Sequence, residues 1–375
     1  MAEQAGSTSV FTYHANPCVD EVRPYVPGPT AAMISERYGL PLDQLVKLSS
    51  NEAPLGASPK VRAALRQIAD SDGLHRYPSP TAPELRKAIG KLLGVPPDQI
   101  LPGAGSTDTW PLIVRAYSLP GEEVLAVEPS MTSYAEVAVL SERTPSILTM
   151  EFPFDVTAHE VIERVTPQTR VIFLCSPNNT TSRLIAPAII EEIANGAPDA
   201  IVVVDEHYIE TADDYRAVTA VNLLPRTSNV LVTRSFSKQY GLAGIRVGYA
   251  VGPEAVISTL MKFKAKWNIS LVADVAARAA LEDQEHLERN VAVTREGRAY
   301  FEKALRQMSG IELVPEAQGC FVLFRVLSRP AAEVVEQLFQ RGIMVRGDLL
   351  EGYIRLSVGT PEQNEQFVSA LEAAM

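Results

Sequence analysis

The sequence predicts an α/β protein: a large domain with a mostly parallel central sheet covered by helices, followed by a smaller C-terminal α/β domain. Three observations carry this. Between about residues 120 and 250, short runs that are apolar on both faces alternate with stretches of helical spacing, the pattern of parallel strands buried on both sides. Each run closes on polar residues, where ligands of such sheets bind. After about residue 270 the rhythm changes to long helices leading into shorter strand-like segments.

Taken in order, a Pro-rich entry (Pro24, Pro27, Pro29, Pro41) reads as an irregular arm, and residues 1–48 are assigned to the arm and a small-domain segment. The large domain is placed at 49–270. Its strands are read at 123–128 (EVLAVE), 171–177 (VIFLCSP), 200–208 (AIVVVDEHY), 230–236 (VLVTRSF) and 247–252 (VGYAVG), each a buried β-branched run ending in polar residues. The segment 188–197 (AIIEEIANGA) has helical spacing. The small domain, 271–375, holds two long helical stretches and then IELVP, CFVLFRV, GIMVR and YIRLSV as strands, with VVEQLFQR helical between them.

The chain has 375 residues, with 34 basic against 45 acidic side chains and a formal charge of −11. At 46% hydrophobic and 21% charged residues it can bury a large core. No apolar run approaches the roughly 18–20 residues of a membrane helix, and the first twenty residues lack the basic start and apolar block of a signal peptide; a cytoplasmic, non-membrane protein is expected. The acidic balance without a Lys/Arg cluster argues against a nucleic-acid partner. Cys18, Cys175 and Cys320 lie far apart with no C-x-x-C, so neither a disulfide framework nor a zinc knuckle is expected.

The strongest local signal runs from Ser235 to Tyr249, SFSKQYGLAGIRVGY. It reads as a strand end bearing two hydroxyls, a lysine, a Gly-containing turn, an arginine eight residues on and a new strand. Ser235, Ser237 and Arg246 suit a phosphate dianion, and Lys238 beside them could condense with an aldehyde. Read blandly, Lys238 is one more loop lysine; fifteen residues of pattern are too specific for that.

This segment resembles the cofactor-lysine motif of class I/II aminotransferases, fold-type I enzymes dependent on pyridoxal 5′-phosphate (PLP), and specifically of the histidinol-phosphate aminotransferase kind. The similarity spans nearly the whole chain: VRPYVPG (22–28), KLSSNEAPLGASP (47–59), RYPSP (76–80), GAGSTD (103–108), CSPNN (175–179), VVDEHYIE (203–210) and YIRLSVGTPEQNEQFVSAL (353–371). The resemblance implies that Lys238 forms the Schiff base and then serves as general acid/base at the substrate's α-carbon. It implies that Asp205 pairs with the pyridinium nitrogen and sustains the ring as an electron sink. Asn179 and Tyr208 would bond the phenolic oxygen. Ser106 and Thr107 would offer helix-start N–H groups to the phosphate, with Ser235, Ser237 and Arg246 completing the cup. Tyr77 would reach the phosphate of a neighbouring subunit, which implies a homodimer with shared active sites.

On the substrate side, Arg355 matches the arginine that grips an anionic group and Arg346 a second arginine directed at a substrate phosphate. Tyr25 matches an arm tyrosine touching the same group, and Asn51 is expected at the pocket entrance. Two arginines and a tyrosine on one pocket would hold a carboxylate or phosphate of a small-molecule amine or amino acid. His207 is expected to be a packing residue or a support behind the site. No metal is expected, because no other His, Cys or carboxylate stands at ligand spacing from it.

The chain departs from the family pattern where the ring and substrate would lie. Met131 stands where relatives carry a Tyr or Phe stacked on the cofactor ring, and Tyr134 is a partial substitute. The Asn-Pro-Thr-Gly turn is Asn179-Thr180-Thr181-Ser182. Gly103-Ala104-Gly105-Ser106-Thr107-Asp108 shifts an acidic residue, Cys320-Phe321 replaces an Asn-Phe pair, and only eight residues separate Arg346 from Arg355. The expected function is therefore aminotransfer on an anionic amine or amino acid in biosynthesis. The alternative is a PLP-dependent lyase of specialised metabolism on the same scaffold, catalysing β-elimination or decarboxylation with or without deamination. A non-catalytic PLP-sensing domain of a transcription regulator is disfavoured by the presence of Lys238 and by the lack of a basic patch. A Rossmann dehydrogenase is disfavoured by the lack of G-x-G-x-x-G after an early strand.

Overall fold

A computed structural model describes residues 15–22, 24 and 28–375. Among them are twelve strands: β1 Val46–Lys47, β2 Ile100–Gly103, β3 Glu123–Glu128, β4 Thr144–Thr149, β5 Thr169–Cys175, β6 Ile201–Asp205, β7 Val230–Ser235, β8 Gly248–Val251, β9 Ile311–Leu313, β10 Phe321–Val326, β11 Ile343–Met344 and β12 Ile354–Ser357. The central sheet has the order β2-β8-β7-β6-β5-β3-β4. Its strands run parallel except β8, which is antiparallel to both β7 and β2.

Successive side chains of a strand point to opposite faces, and here both faces are apolar. Leu125, Ile172, Leu174, Val202, Val204, Val230 and Val232 enter one core, with helices Pro83–Leu93, Pro187–Gly196 and Leu271–Leu281 over it. Val124, Phe173, Val203 and Leu231 enter the other, under Trp110–Tyr117, Ser133–Leu140 and Glu254–Phe263. Each such Val or Leu, at about zero exposure, contributes roughly 1.5–3 kcal/mol of burial. That surplus offsets the cost of burying the carboxylates at the strand ends.

A core separate from both lies around the antiparallel sheet β12-β10-β9 and the parallel pair β1·β11. The helix Gln284–Gln307 ties it to the first of the large-sheet cores: Leu287 and Val291 belong to that core, Phe301 and Leu305 to the small-sheet one. Helix Leu271–Leu281 packs against Pro59–Ala69 and Pro83–Leu93, on the large-sheet side. No helix among the described residues is long and apolar enough to cross a membrane.

Candidate active site

The carboxyl ends of β5, β6 and β7 are in register, pairing Cys175 with Asp205 and Asp205 with Thr233. Asp205 is fully buried. Its Oδ1 accepts from Thr233 Oγ1 at 3.0 Å, and its Oδ2 accepts from Tyr134 Oη at 2.8 Å and faces His207 Nδ1 at 2.7 Å. A carboxylate only accepts, so Nδ1 carries the proton in this pair. Three bonds compensate the desolvation of the charge. Cys175, Asp205 and His207 bring ligand atoms within 4.8 Å of one another. This corrects the expectation that neither a Cys nor a carboxylate stands near His207.

Tyr208 is buried, and its hydroxyl oxygen accepts from Asn179 Nδ2 at 2.8 Å and Asn51 Nδ2 at 3.0 Å. Both bonds are accepted, so the phenol's own hydrogen is available to a third partner. Burial raises its pKa. Asn51 was expected at the pocket entrance; it is instead 1% exposed, in left-handed backbone (φ 54°), with its Oδ1 accepting from Ser357 Oγ at 2.6 Å. It sits behind Tyr208 because the turn Ser49–Asn51 is drawn down onto β12, Ser357 N donating to Leu48 O.

Lys238 follows the end of β7 by three residues, half-buried, with Nζ 3.5 Å from Ser50 O and 5.2 Å above the Tyr208 ring. Burial lowers its pKa, and the guanidinium groups of Arg355 and Arg246 add to the effect. Beside it, Ser237 accepts from Arg246 Nη1 at 3.1 Å, and Ser235 Oγ accepts from Ser237 N at 3.1 Å. Two glycines shape this cup. A Cβ on Gly105 (φ 89°) would collide with Arg246 Nη2, and one on Gly248 would lie 2.5 Å from Ser106 N. Ser106 is buried and opens the short helix Ser106–Asp108; Thr107 next to it is exposed. The Arg246 guanidinium, the Ser235 and Ser237 hydroxyls and the Ser106 amide are thus gathered around Gly105 and Gly248.

Arg355 is 5% exposed. Nη1 donates to Asn179 O at 3.0 Å and Nη2 to Ser49 O at 3.2 Å, while Nε has no partner. Its guanidinium carbon lies 5.1 Å over the Phe321 ring. No carboxylate among the described residues forms an ion pair with it. Burial lowers its pKa. Arg346 and Arg355 were expected to converge on one anion. Their backbones do pair, at 2.7 and 3.2 Å, but Arg346 turns its fork onto Asp348, with Nε–Oδ1 at 2.6 Å and Nη2–Oδ2 at 2.9 Å. The short 346–355 loop places that acid two residues away. Tyr25 lies outside the described residues.

Met131 is half-buried and packs against the core that contains Trp110, Tyr134 and Phe173. Tyr134 is no substitute on an open ring face: it is 1% exposed, stacked on Phe173 at 4.7 Å and 12°, below Asp205. Tyr77 stands apart from the cluster, 82% exposed, with its ring 4.9 Å from that of Trp267. Sequence reasoning missed Thr233, Ser357 and the support role of Tyr134, because each acts through a partner distant in the chain. For Thr233 a signal existed: a hydroxyl one strand over from an aspartate at a parallel strand end.

The donor set fits PLP. A buried carboxylate stands at the strand end, a phenol offers its proton, a lysine has its charge disfavoured, and glycines clear a cradle lined by Ser, Arg and backbone amides. Fold and site define a PLP-dependent transferase of fold type I. Residues 43–371 match the family aminotransferase class I and II, and the chain belongs to it. It is 38% identical to the histidinol-phosphate aminotransferase of Symbiobacterium thermophilum over 95% of this chain and 97% of that one. Among solved structures it is similar to the histidinol-phosphate aminotransferase of Sinorhizobium meliloti in complex with PLP (TM-score 0.84, 23% identity, 98% of this chain and 99% of that one). It is also similar to the L-threonine-O-3-phosphate decarboxylase of Porphyromonas gingivalis (TM-score 0.76, 24% identity, 88% and 99%).

Proposed function

We propose that this chain is an aminotransferase of the histidinol-phosphate type, taking an amine or amino acid that carries a carboxylate or phosphate. One observation carries the reading: among the described residues, Arg355 is a buried guanidinium bonded only to backbone carbonyls, with Nε unpartnered. A buried charge without a counter-ion is costly, and an anionic substrate supplies one bidentately.

When bound, PLP supplies an aldehyde for the substrate amine and a ring that accepts the electron pair released at the α-carbon. The rest is done by the chain. Lys238 holds and moves the α-carbon proton; burial, by lowering its pKa, favours the neutral amine that a base requires. Asp205, fixed by Thr233, Tyr134 and His207, keeps the ring nitrogen protonated. Tyr208 and Asn179 would bond the phenolic oxygen, and Met131 would lie against the ring. Ser106, Thr107, Ser235, Ser237 and Arg246 hold the phosphate. Arg355 orients the substrate through its anion, with Asn51 acting behind Tyr208; Arg346 would turn to the substrate's far end once Asp348 is displaced, and Tyr25, outside the described residues, keeps only the role the resemblance implies. Tyr77, projecting from the surface beside Trp267, serves the phosphate of a second copy, so the working unit is a homodimer. We place it in the cytoplasm, where amino-acid biosynthesis takes place.

The lyase reading rests on residue 131. A thioether fixes the ring less firmly than an aromatic does, and the bond broken is the one held perpendicular to the ring. A single-turnover absorbance experiment separates the two. The PLP-loaded protein is mixed with L-glutamate or histidinol phosphate without a keto acid. Bleaching to the pyridoxamine form, reversed by 2-oxoglutarate, supports aminotransfer. Release of carbon dioxide or ammonia with unaided return of the starting spectrum refutes it.

A further inference from the structure

The turn that carries Asn179 is also a clasp between the two cores. Ser182 is fully buried with φ 66°, a backbone conformation that suits glycine and strains any residue with a Cβ. In exchange its hydroxyl accepts from Gly319 N at 2.7 Å, a bond no glycine could make, while its carbonyl accepts from Gln318 N at 2.7 Å. The fit is mutual: a Cβ on Gly319 would lie 2.8 Å from Ser182 Oγ. Next door, Arg183 Nη1 donates to Pro315 O at 3.0 Å and to Glu316 Oε2 at 2.8 Å.

The clasp leads straight to the substrate arginine. Gly319 runs into Cys320 and β10, and β10 pairs with β12 through Leu323 and Arg355. Arg355 Nη1 returns to Asn179 O, three residues before Ser182, and Asn179 Nδ2 holds Tyr208. The path from Ser182 through Gly319, β10 and β12 to Arg355 therefore closes on its own turn. The 315–320 loop, held by Ser182, is thereby continuous with the strand pair that carries Arg355.

We propose that Ser182 is a positioning residue: its hydroxyl, by holding Gly319, sets the placement of Arg355 and so the affinity for the anionic donor. This rests on the reading that Arg355 binds the donor's anion. Ser182→Gly removes hydroxyl and strain together; Ser182→Ala removes the hydroxyl and keeps the strain. In the PLP-loaded full-length protein, amide exchange at residues 318–320 accelerates about tenfold in both variants, as expected for loss of one buried hydrogen bond. Donor KM rises roughly three- to tenfold while kcat stays within about twofold, the split expected when binding alone is loosened. The alanine variant melts below the glycine variant.

Unchanged exchange in both variants overturns the clasp. Faster exchange with an unchanged donor KM overturns its link to Arg355, as does an equal fall in kcat and rise in KM in Ser182→Gly. A wild-type protein that turns over no donor refutes the aminotransferase reading and not the clasp, which the exchange rates then decide by themselves.

Discussion

Tyr134 donates its hydroxyl to Asp205 across 2.8 Å while its ring lies stacked on Phe173, centroids 4.7 Å apart. The core beneath the sheet thereby orients the carboxylate that we propose pairs with the cofactor's ring nitrogen. Burial, reinforced by the neighbouring carboxylate, raises the Tyr134 pKa well above its ordinary value, so the phenol is a donor at every working pH. Hydrogen bonds to charged groups contribute roughly 1.5–3 kcal/mol. Tyr134→Phe, which keeps the stacking, should weaken PLP binding by about tenfold or more, as read by absorbance titration of the apoprotein. Unchanged affinity would show that Thr233 and His207 suffice to hold Asp205.

Removal of Lys238 has a simple expectation. Lys238→Ala should abolish turnover while circular dichroism and melting temperature stay near wild type, since the amine's one hydrogen bond spans 3.5 Å. A variant with full activity would reassign the site.

Arg355 makes two opposite predictions. Loss of a buried charge partner costs a bound anion about 2–5 kcal/mol, so Arg355→Met should raise the donor's KM by roughly two orders of magnitude. The donor-free protein should melt at the same temperature or higher, because the variant removes a buried charge lacking a counter-ion. A lower melting temperature would mean that its bonds to Asn179 and Ser49 matter more than its desolvation.

Glu210 lies outside the site, 4% exposed, with Oε2 unpartnered. Burial pushes its pKa up to about 7. The folded protein then holds a proton between about pH 4.5 and 7 that the unfolded chain releases, so stability falls as pH rises through this window. The full effect above pH 7 is on the order of 3 kcal/mol. Glu210→Gln should flatten the decline between pH 5 and 8, measured by urea unfolding across that range; an unaltered slope would mean that Glu210 is ionised in the fold.

Tyr77 tests the subunit arrangement. Sedimentation equilibrium at micromolar concentration should give a dimer, and Tyr77→Ala should keep the dimer but lose PLP more readily on dialysis. A wild-type monomer would remove the shared-site reading.

Much of the architecture was legible because strands apolar on both faces have few other uses. The runs at 123–128, 171–177 and 230–236 contain β3, most of β5 and all of β7, and their alternating residues divide between the two cores. The antiparallel partners β2 and β8 carry no local sign of strand direction, and the edge strand β4, burial-poor at both ends, has no clean pattern. Helix Leu271–Leu281 looks in sequence like the start of a second unit; its packing against Pro59–Ala69 depends on a contact some two hundred residues away.

The same divide runs through the site. The chemistry on offer was readable along the chain: a lysine, an aspartate, a tyrosine, an asparagine and a Ser/Arg cup at motif spacing, because groups that meet one ligand at the ends of neighbouring strands must recur in a fixed order. Which of those groups are already engaged emerged from the packing. Arg346 turns to Asp348, Asn51 goes under Tyr208, Tyr134 goes beneath Asp205, and Ser182 takes a glycine's backbone to reach Gly319. Each of these outcomes is a competition between a substrate-facing orientation and an internal partner, and the geometry of that partner exists only after the two cores have packed together.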